Sequence, residues 1–265
     1  MKKLFTLLLI AALALSLFAC GSQSGDTKAT VPNPAADLAY DDAAIRSNFE
    51  KAESYVDAAF DGMDMSASIQ DDDDNSSIYK YWSYDGEPDK APISSEIEID
   101  GNKIVIGKTT AKDVMGFDLT AEKNSDTAQP GDVVSISLSK GDRSCSVMLA
   151  PNDTDKAQPA DDLPVYEVMT SAKDFSLPFT YCGLTVESTL EDVLEALGTP
   201  NYTATLSSED MGVYIELDYN NTTQEGDENY SDGVVIRLVY ETDSNIAFID
   251  NIDLRRDILS PADAS

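Results

Sequence analysis

213-VYIELDY-219, 234-VVIRLVYE-241 and 246-IAFIDNIDL-254 decide the reading of this chain. Their β-branched and aromatic content predicts three strands, with the acidic stretch 220–232 as the loop between the first two. A helix is predicted just before them. Ser188 begins a capping box with Glu191, and Leu190, Val193, Leu194 and Leu197 line one face. Gly198 ends that helix and Pro200 prevents its return.

The preceding residues repeat the theme. Ile45, Phe49, Ala52, Val56 and Phe60 recur at helical steps ahead of Gly62, which predicts a helix over 42–61. Ile78 to Tyr84 reads as an aromatic strand. Glu96-Ile97-Glu98-Ile99 and Lys103-Ile104-Val105-Ile106 flank the turn Asp100-Gly101 and predict a hairpin. Thr109 or Thr110 can cap a short helix, with Asp113 three positions after Thr110. Val133–Leu138 and Cys145–Leu149 predict a second hairpin around Lys140-Gly141-Asp142.

Thr110, Asp113 and Val114 match Thr189, Asp192 and Val193 at a shift of 79 residues, and Val134, Ile136 and Leu138 fall on Val213, Ile215 and Leu217 at the same shift. The fold class expected is therefore α+β: two similar modules, each a short helix packed on an antiparallel sheet, preceded by an N-terminal helix. The boundaries expected are an N-terminal module with its leading helix over 40–150, a linker rich in proline and aspartate over 151–164, and a C-terminal module over 165–265.

The N-terminus carries an address. Lys2 and Lys3 precede an apolar run from Leu4 to Phe18, which is too short to span a membrane. The run closes on Leu17-Phe18-Ala19-Cys20, the three-part layout of a secretory signal. A cysteine at the cut point resembles the lipobox of bacterial lipoproteins. The resemblance implies a signal peptide over 1–19, a diacylglyceryl thioether on Cys20 as the mature N-terminus, and a location on the extracytoplasmic face of a cell membrane. Residues 20–39 read as a flexible tether. No later run is long enough to predict a transmembrane helix.

Gly183-Leu184-Thr185 and the run from Asp192 to Pro200, DVLEALGTP, resemble a motif of the small outer-membrane assembly lipoproteins and the tandem-repeat β-lactamase inhibitor proteins. That resemblance covers about 80 residues, from 175 to 255. It implies helices on an antiparallel sheet and a role in binding other proteins.

Charge and composition exclude several functions. The chain holds 49 acids and 18 bases, a net −31. Loss of Lys2 and Lys3 with the signal moves it to −33 (−31 − 2). Such a field repels nucleic acid and anionic lipid, so the lipid must supply the membrane affinity. There is no histidine, which excludes Ser-His-Asp and Cys-His catalysis and histidine zinc sites. Paired-carboxylate hydrolysis needs only two acids and is not excluded. The expectation is a chain that is not an enzyme and has no cofactor.

Four aromatic residues form the candidate binding surface. Trp82 and Tyr84 share one strand face with Ile78 and Lys80, and Tyr79 and Tyr81 share the other. One face packs on a core; the other presents rings to a protein or a sugar. Asp71–Asp74 fails as a calcium loop, since Ser76 stands where glycine is needed and Trp82 where glutamate is needed, so no metal site is assigned. Cys145 and Cys182 either form a disulfide or act as separate thiols. The function expected is a non-enzymatic protein-binding or scaffold module at the cell envelope, with an envelope protein or wall polymer as partner. The alternative is a carbohydrate- or solute-binding surface protein that uses the aromatic strand.

Overall fold

The computed structural model describes residues 42–63, 65–71, 77–84, 93–150, 155–208, 212–225 and 228–259. The signal, Cys20 and the tether lie outside the described residues, as do Asp72–Asp74. The elements in chain order are α1 (Asp42–Ala59), β1 (Met65–Asp71), β2 (Ser77–Tyr84), β3 (Glu96–Ile99), β4 (Asn102–Val105), α2 (Ala111–Met115) and β5 (Thr120–Lys123). Then come β6 (Thr127–Ala128), β7 (Ser135–Lys140), β8 (Arg143–Leu149), β9 (Gln158–Pro159), β10 (Val165–Thr170) and β11 (Phe179–Thr180). The chain continues with α3 (Leu190–Leu197), β12 (Tyr202–Ser208), β13 (Gly212–Glu225), β14 (Glu228–Glu241) and β15 (Ile246–Leu259).

The expected α+β class with two modules is wrong. Strand accounts for 51% and helix for 19% of the described residues, so the protein is mostly β. Ten strands form one antiparallel sheet in the order β1-β2-β12-β13-β14-β15-β10-β8-β7-β5. Strands from the two expected modules interleave within it. β2 pairs with β12, and β10 bridges β15 to β8. The physical reason lies in edges. Two separate sheets would leave β2, β8, β10 and β12 with unpaired backbone groups, and joining them satisfies those groups. Local periodicity carries no trace of such long-range pairing.

The 79-residue correspondence survives as local chemistry. Thr110 and Thr189 are both N-caps whose side chains accept from Asp113 N and Asp192 N, and each aspartate accepts from its cap's backbone N–H in return. The box of α3 is therefore Thr189 with Asp192, not Ser188 with Glu191. Ser188 is used one step earlier, where its Oγ accepts from Thr185 N at 3.1 Å.

Two further expectations change. The supposed acidic loop is ladder over 220–225 and 228–232, with 226 and 227 outside the described residues: Asn220 pairs with Gly233, and the register runs unbroken to Glu225 opposite Glu228. Thr222, Thr223 and Tyr230 have strand propensity that the density of acids conceals. Residues 158–164, expected to be linker, pair β9 with β6 and bury Ala160 and Leu163. The β3–β4 hairpin forms as expected. Asp100 and Gly101 at its tip have φ of 47° and 80°, as a type I′ turn requires. With β11 it makes a separate three-stranded sheet.

One face of the large sheet is apolar. Tyr219, Val234, Leu254, Val168, Val147 and Ile136 are successive neighbours across six strands, and all are buried. This face belongs to one continuous core with Ile97, Ile99 and Ile104 of the small sheet and Val193 of α3. α1 lies over β2, β12 and β13, and α3 over β15. The same face carries a buried ion pair: Arg256 donates from Nε to Asp232 Oδ1 at 2.5 Å and from Nη2 to Oδ2 at 2.9 Å.

That pair generates a stability prediction. Asp232→Ala removes the bidentate carboxylate partner of a largely buried guanidinium and lowers stability by about 3–5 kcal/mol, whereas the double change Asp232→Ala/Arg256→Met costs less. Urea unfolding followed by circular dichroism measures both. A double variant at least as destabilised as the single one contradicts the prediction.

Candidate interaction surface

The other face of the sheet holds the candidate site. Register dictates its membership, because successive residues of a strand point to opposite faces. Tyr202, Asp218, Val235, Asp253, Met169 and Ser146 are neighbours across β12, β13, β14, β15, β10 and β8. Beside them runs a second row of Tyr81, Ala204, Glu216, Arg237 and Asn251. A third pairs Tyr214 with Val239. Ala204 and Asp253 are buried; the others in these rows are half-buried.

The aromatic groups are held in place by their neighbours. The Tyr81 and Tyr202 rings lie 5.5 Å apart, tilted by 31°. Arg237 donates from Nη2 to Glu216 Oε2 at 2.9 Å, and its guanidinium lies 5.9 Å from the Tyr214 ring. Burial pushes the Tyr202 phenol well above its ordinary range, and the Tyr81, Glu216 and Asp218 groups push the same way. Burial also raises Tyr214, as does Asp250, while Arg237 opposes. Both phenols stay protonated near neutral pH and can donate as well as accept hydrogen bonds. Tyrosine, methionine and arginine on a continuous face are the residue types enriched at protein contacts.

The four aromatic residues picked out in the sequence do not form one surface. Tyr81 lies on the outer face. Trp82 is 2% exposed beneath α1, where its Nε1 donates to Asp57 Oδ1 at 2.9 Å and Phe60 meets its ring edge-on at 6.3 Å. Tyr84 is half-buried on the Trp82 side of the strand. The Tyr79 side chain lies outside the described residues. Tyr202, Tyr214, Arg237 and Met169 escaped sequence reasoning. Tyr214 alternates visibly with the apolar set of β13, so it had a signal; Tyr202 joins Tyr81 only through pairing across more than a hundred residues.

Other features are weaker candidates. An open groove of about 420 Å³ beside α1 is lined mostly by polar groups, Ser47, Glu50, Lys51, Ser54 and Asn245. Tyr55 and Ala58 complete its lining, which is less predominantly apolar than that of a small-molecule site. Among the described residues no cluster of acids or thiols is placed to hold a metal ion, and no helix is long and apolar enough to cross a membrane.

Cys145 is buried on β8, Cys182 is exposed after β11, and neither forms a disulfide. Burial pushes the Cys145 thiol up to about 12 and also raises Cys182. At pH 8 a pKa of about 12 leaves roughly one thiol in ten thousand ionised. Iodoacetamide at that pH therefore labels Cys182 in the folded protein, and Cys145 only after denaturant is added. Mass spectrometry of tryptic peptides checks this; equal labelling of both in the native state contradicts it.

Comparison with known proteins yields no match: no family model, no curated protein and no solved structure aligns with this chain.

Proposed function

We propose that this chain is a lipid-anchored extracytoplasmic protein that binds another protein through the outer face of its sheet, without catalysis. The anchor rests on the sequence from Lys2 to Cys20 and its resemblance to a lipobox. The binding role rests on one observation: the outer face sets Tyr81, Tyr202, Tyr214, Met169 and Arg237 in adjoining rows. Flat strands hold these side chains at fixed spacing, so little conformational entropy is lost when a partner covers them.

The carbohydrate-binding alternative uses the aromatic strand, of which Trp82 is the largest ring. With its ring 2% exposed, that residue is not available to stack on a sugar.

Two experiments test the proposal. Cys20→Ala moves the protein from the membrane fraction to the soluble fraction and removes the mass of the lipid from its N-terminal peptide. An unmodified Cys20 in the native protein contradicts the anchor. For the surface, a photo-crosslinking residue replaces Tyr202, or Glu195 on the exposed side of α3 as control. In intact cells position 202 yields one reproducible protein adduct and position 195 yields none. Equal yields at the two positions contradict the surface.

A further inference from the structure

The interface beneath α1 is polar where the sheet passes from β13 to β2. On β13 the covered face carries Ile215 and Leu217, and on β14 Ile236 and Leu238, all fully buried. On β12 the corresponding residues are Thr203 and Thr205. Both are fully buried, and their hydroxyl oxygens have no hydrogen-bond partner among the described residues. On β2 they are Lys80 and Trp82. Lys80 is only 6% exposed. Its ammonium donates to Glu53 Oε1 at 2.5 Å and to Asp57 Oδ2 at 3.0 Å, and lies 4.7 Å from the Trp82 ring.

The sheet here is a trough of donors: one ammonium, one indole N–H and two hydroxyls. Its present occupant is complementary. α1 offers the carboxylates of Glu53 and Asp57 one turn apart, flanked by the buried apolar side chains of Ala52 and Val56, with Phe49 and Phe60 beyond them. We propose that this trough is a docking site for an acidic amphipathic helix of a partner protein, and that α1 occupies it as an internal stand-in that the partner displaces. This site is separate from the outer face and does not depend on it.

Three features make α1 displaceable. Burying a lysine costs desolvation that offsets much of its attraction to Glu53 and Asp57. The two threonine hydroxyls regain water when the trough opens. Beyond the buried Phe60, the chain leaving α1 passes through Gly62, whose φ of +84° a glycine adopts without side-chain strain. A competing helix must also replace the other ties of α1: Tyr55 Oη donates to Glu191 Oε2 at 2.8 Å, its ring lies 5.7 Å from that of Tyr240, and Phe60 meets Trp82 edge-on.

The test uses the chain from Cys20 to Ser265 and a fluorescent synthetic peptide of residues 42–60. The peptide binds saturably by anisotropy. Bound peptide speeds hydrogen exchange at the amides of the chain's own α1 while β13 and β14 stay protected. A peptide carrying Glu53→Gln and Asp57→Asn binds about tenfold or more weakly, because both charge-assisted bonds to Lys80 are lost. The inference is overturned by no saturable binding, by equal binding of the altered peptide, or by α1 amides that exchange only together with β13. A dimer that swaps α1 between two copies, detected by light scattering, overturns it as well, since the trough then serves self-association. A failed crosslink at position 202 leaves every one of these readouts intact.

Discussion

Three residue pairs hold the two halves of the large sheet together, β1-β2-β12-β13-β14-β15 on one side and β10-β8-β7-β5 on the other. Glu167 faces Arg255, Val168 faces Leu254 and Met169 faces Asp253, where β10 meets β15. Beyond the last pair, side chains continue the contact. Thr170 Oγ1 accepts from Ile252 N at 2.8 Å, and Asp250 Oδ1 accepts from Lys173 N at 3.0 Å. Asp250 sits at the bulge between the pairs Arg237–Asn251 and Leu238–Ile249. The bulge frees it to reach sideways, while β14 and β15 pair on as far as Glu241 and Ile246. Because β10 also pairs with β8, the joint carries both the apolar row of the core face and the tyrosine row of the outer face across the molecule. A slip of one residue at the joint would swap the two faces on everything beyond it.

That constraint explains where the charged groups go. A protein with 49 acids cannot keep them all from its core face, so the few that enter are matched. Asp232 has Arg256, and Lys80 has Glu53 and Asp57. Gly107 lies where a Cβ would stand 3.3 Å from Arg256 Nη1, so its lack of a side chain leaves room for the guanidinium. The outer face carries its charge in a different form, as cross-strand neighbours such as Glu216 with Arg237, half open to water.

Local signals in the sequence were legible where the chemistry was local. The period of Phe49, Ala52, Val56 and Phe60 locates α1, and Asp100-Gly101 locates the β3–β4 turn, because each depends on residues within a few positions. The α3 cap was misplaced by one residue, since Ser188 and Thr189 both offer a hydroxyl and only hydrogen-bond geometry selects between them. The fold class failed because it turns on whether β2 finds β12 and β8 finds β10, contacts that cross the expected module boundary, the first between residues more than a hundred apart. Trp82 shows the same limit from the side of the site. Its strand and its face were readable, but which face α1 covers depends on the buried Lys80 finding Glu53 and Asp57. The acidic run 220–232 misled because charge density marks loops on average, while a ladder needs only backbone partners and tolerant side chains.

Native-state hydrogen exchange tests the single sheet most directly. If β10 joins the two halves into one cooperative body, the best-protected amides of β7–β8 and of β13–β14 open with the same free energy and the same dependence on denaturant. If the amides of 143–149 exchange through a separate opening of lower energy while β13 and β14 stay closed, the joint at β10 and β15 does not unite the molecule, and the continuous outer face proposed for binding is lost with it.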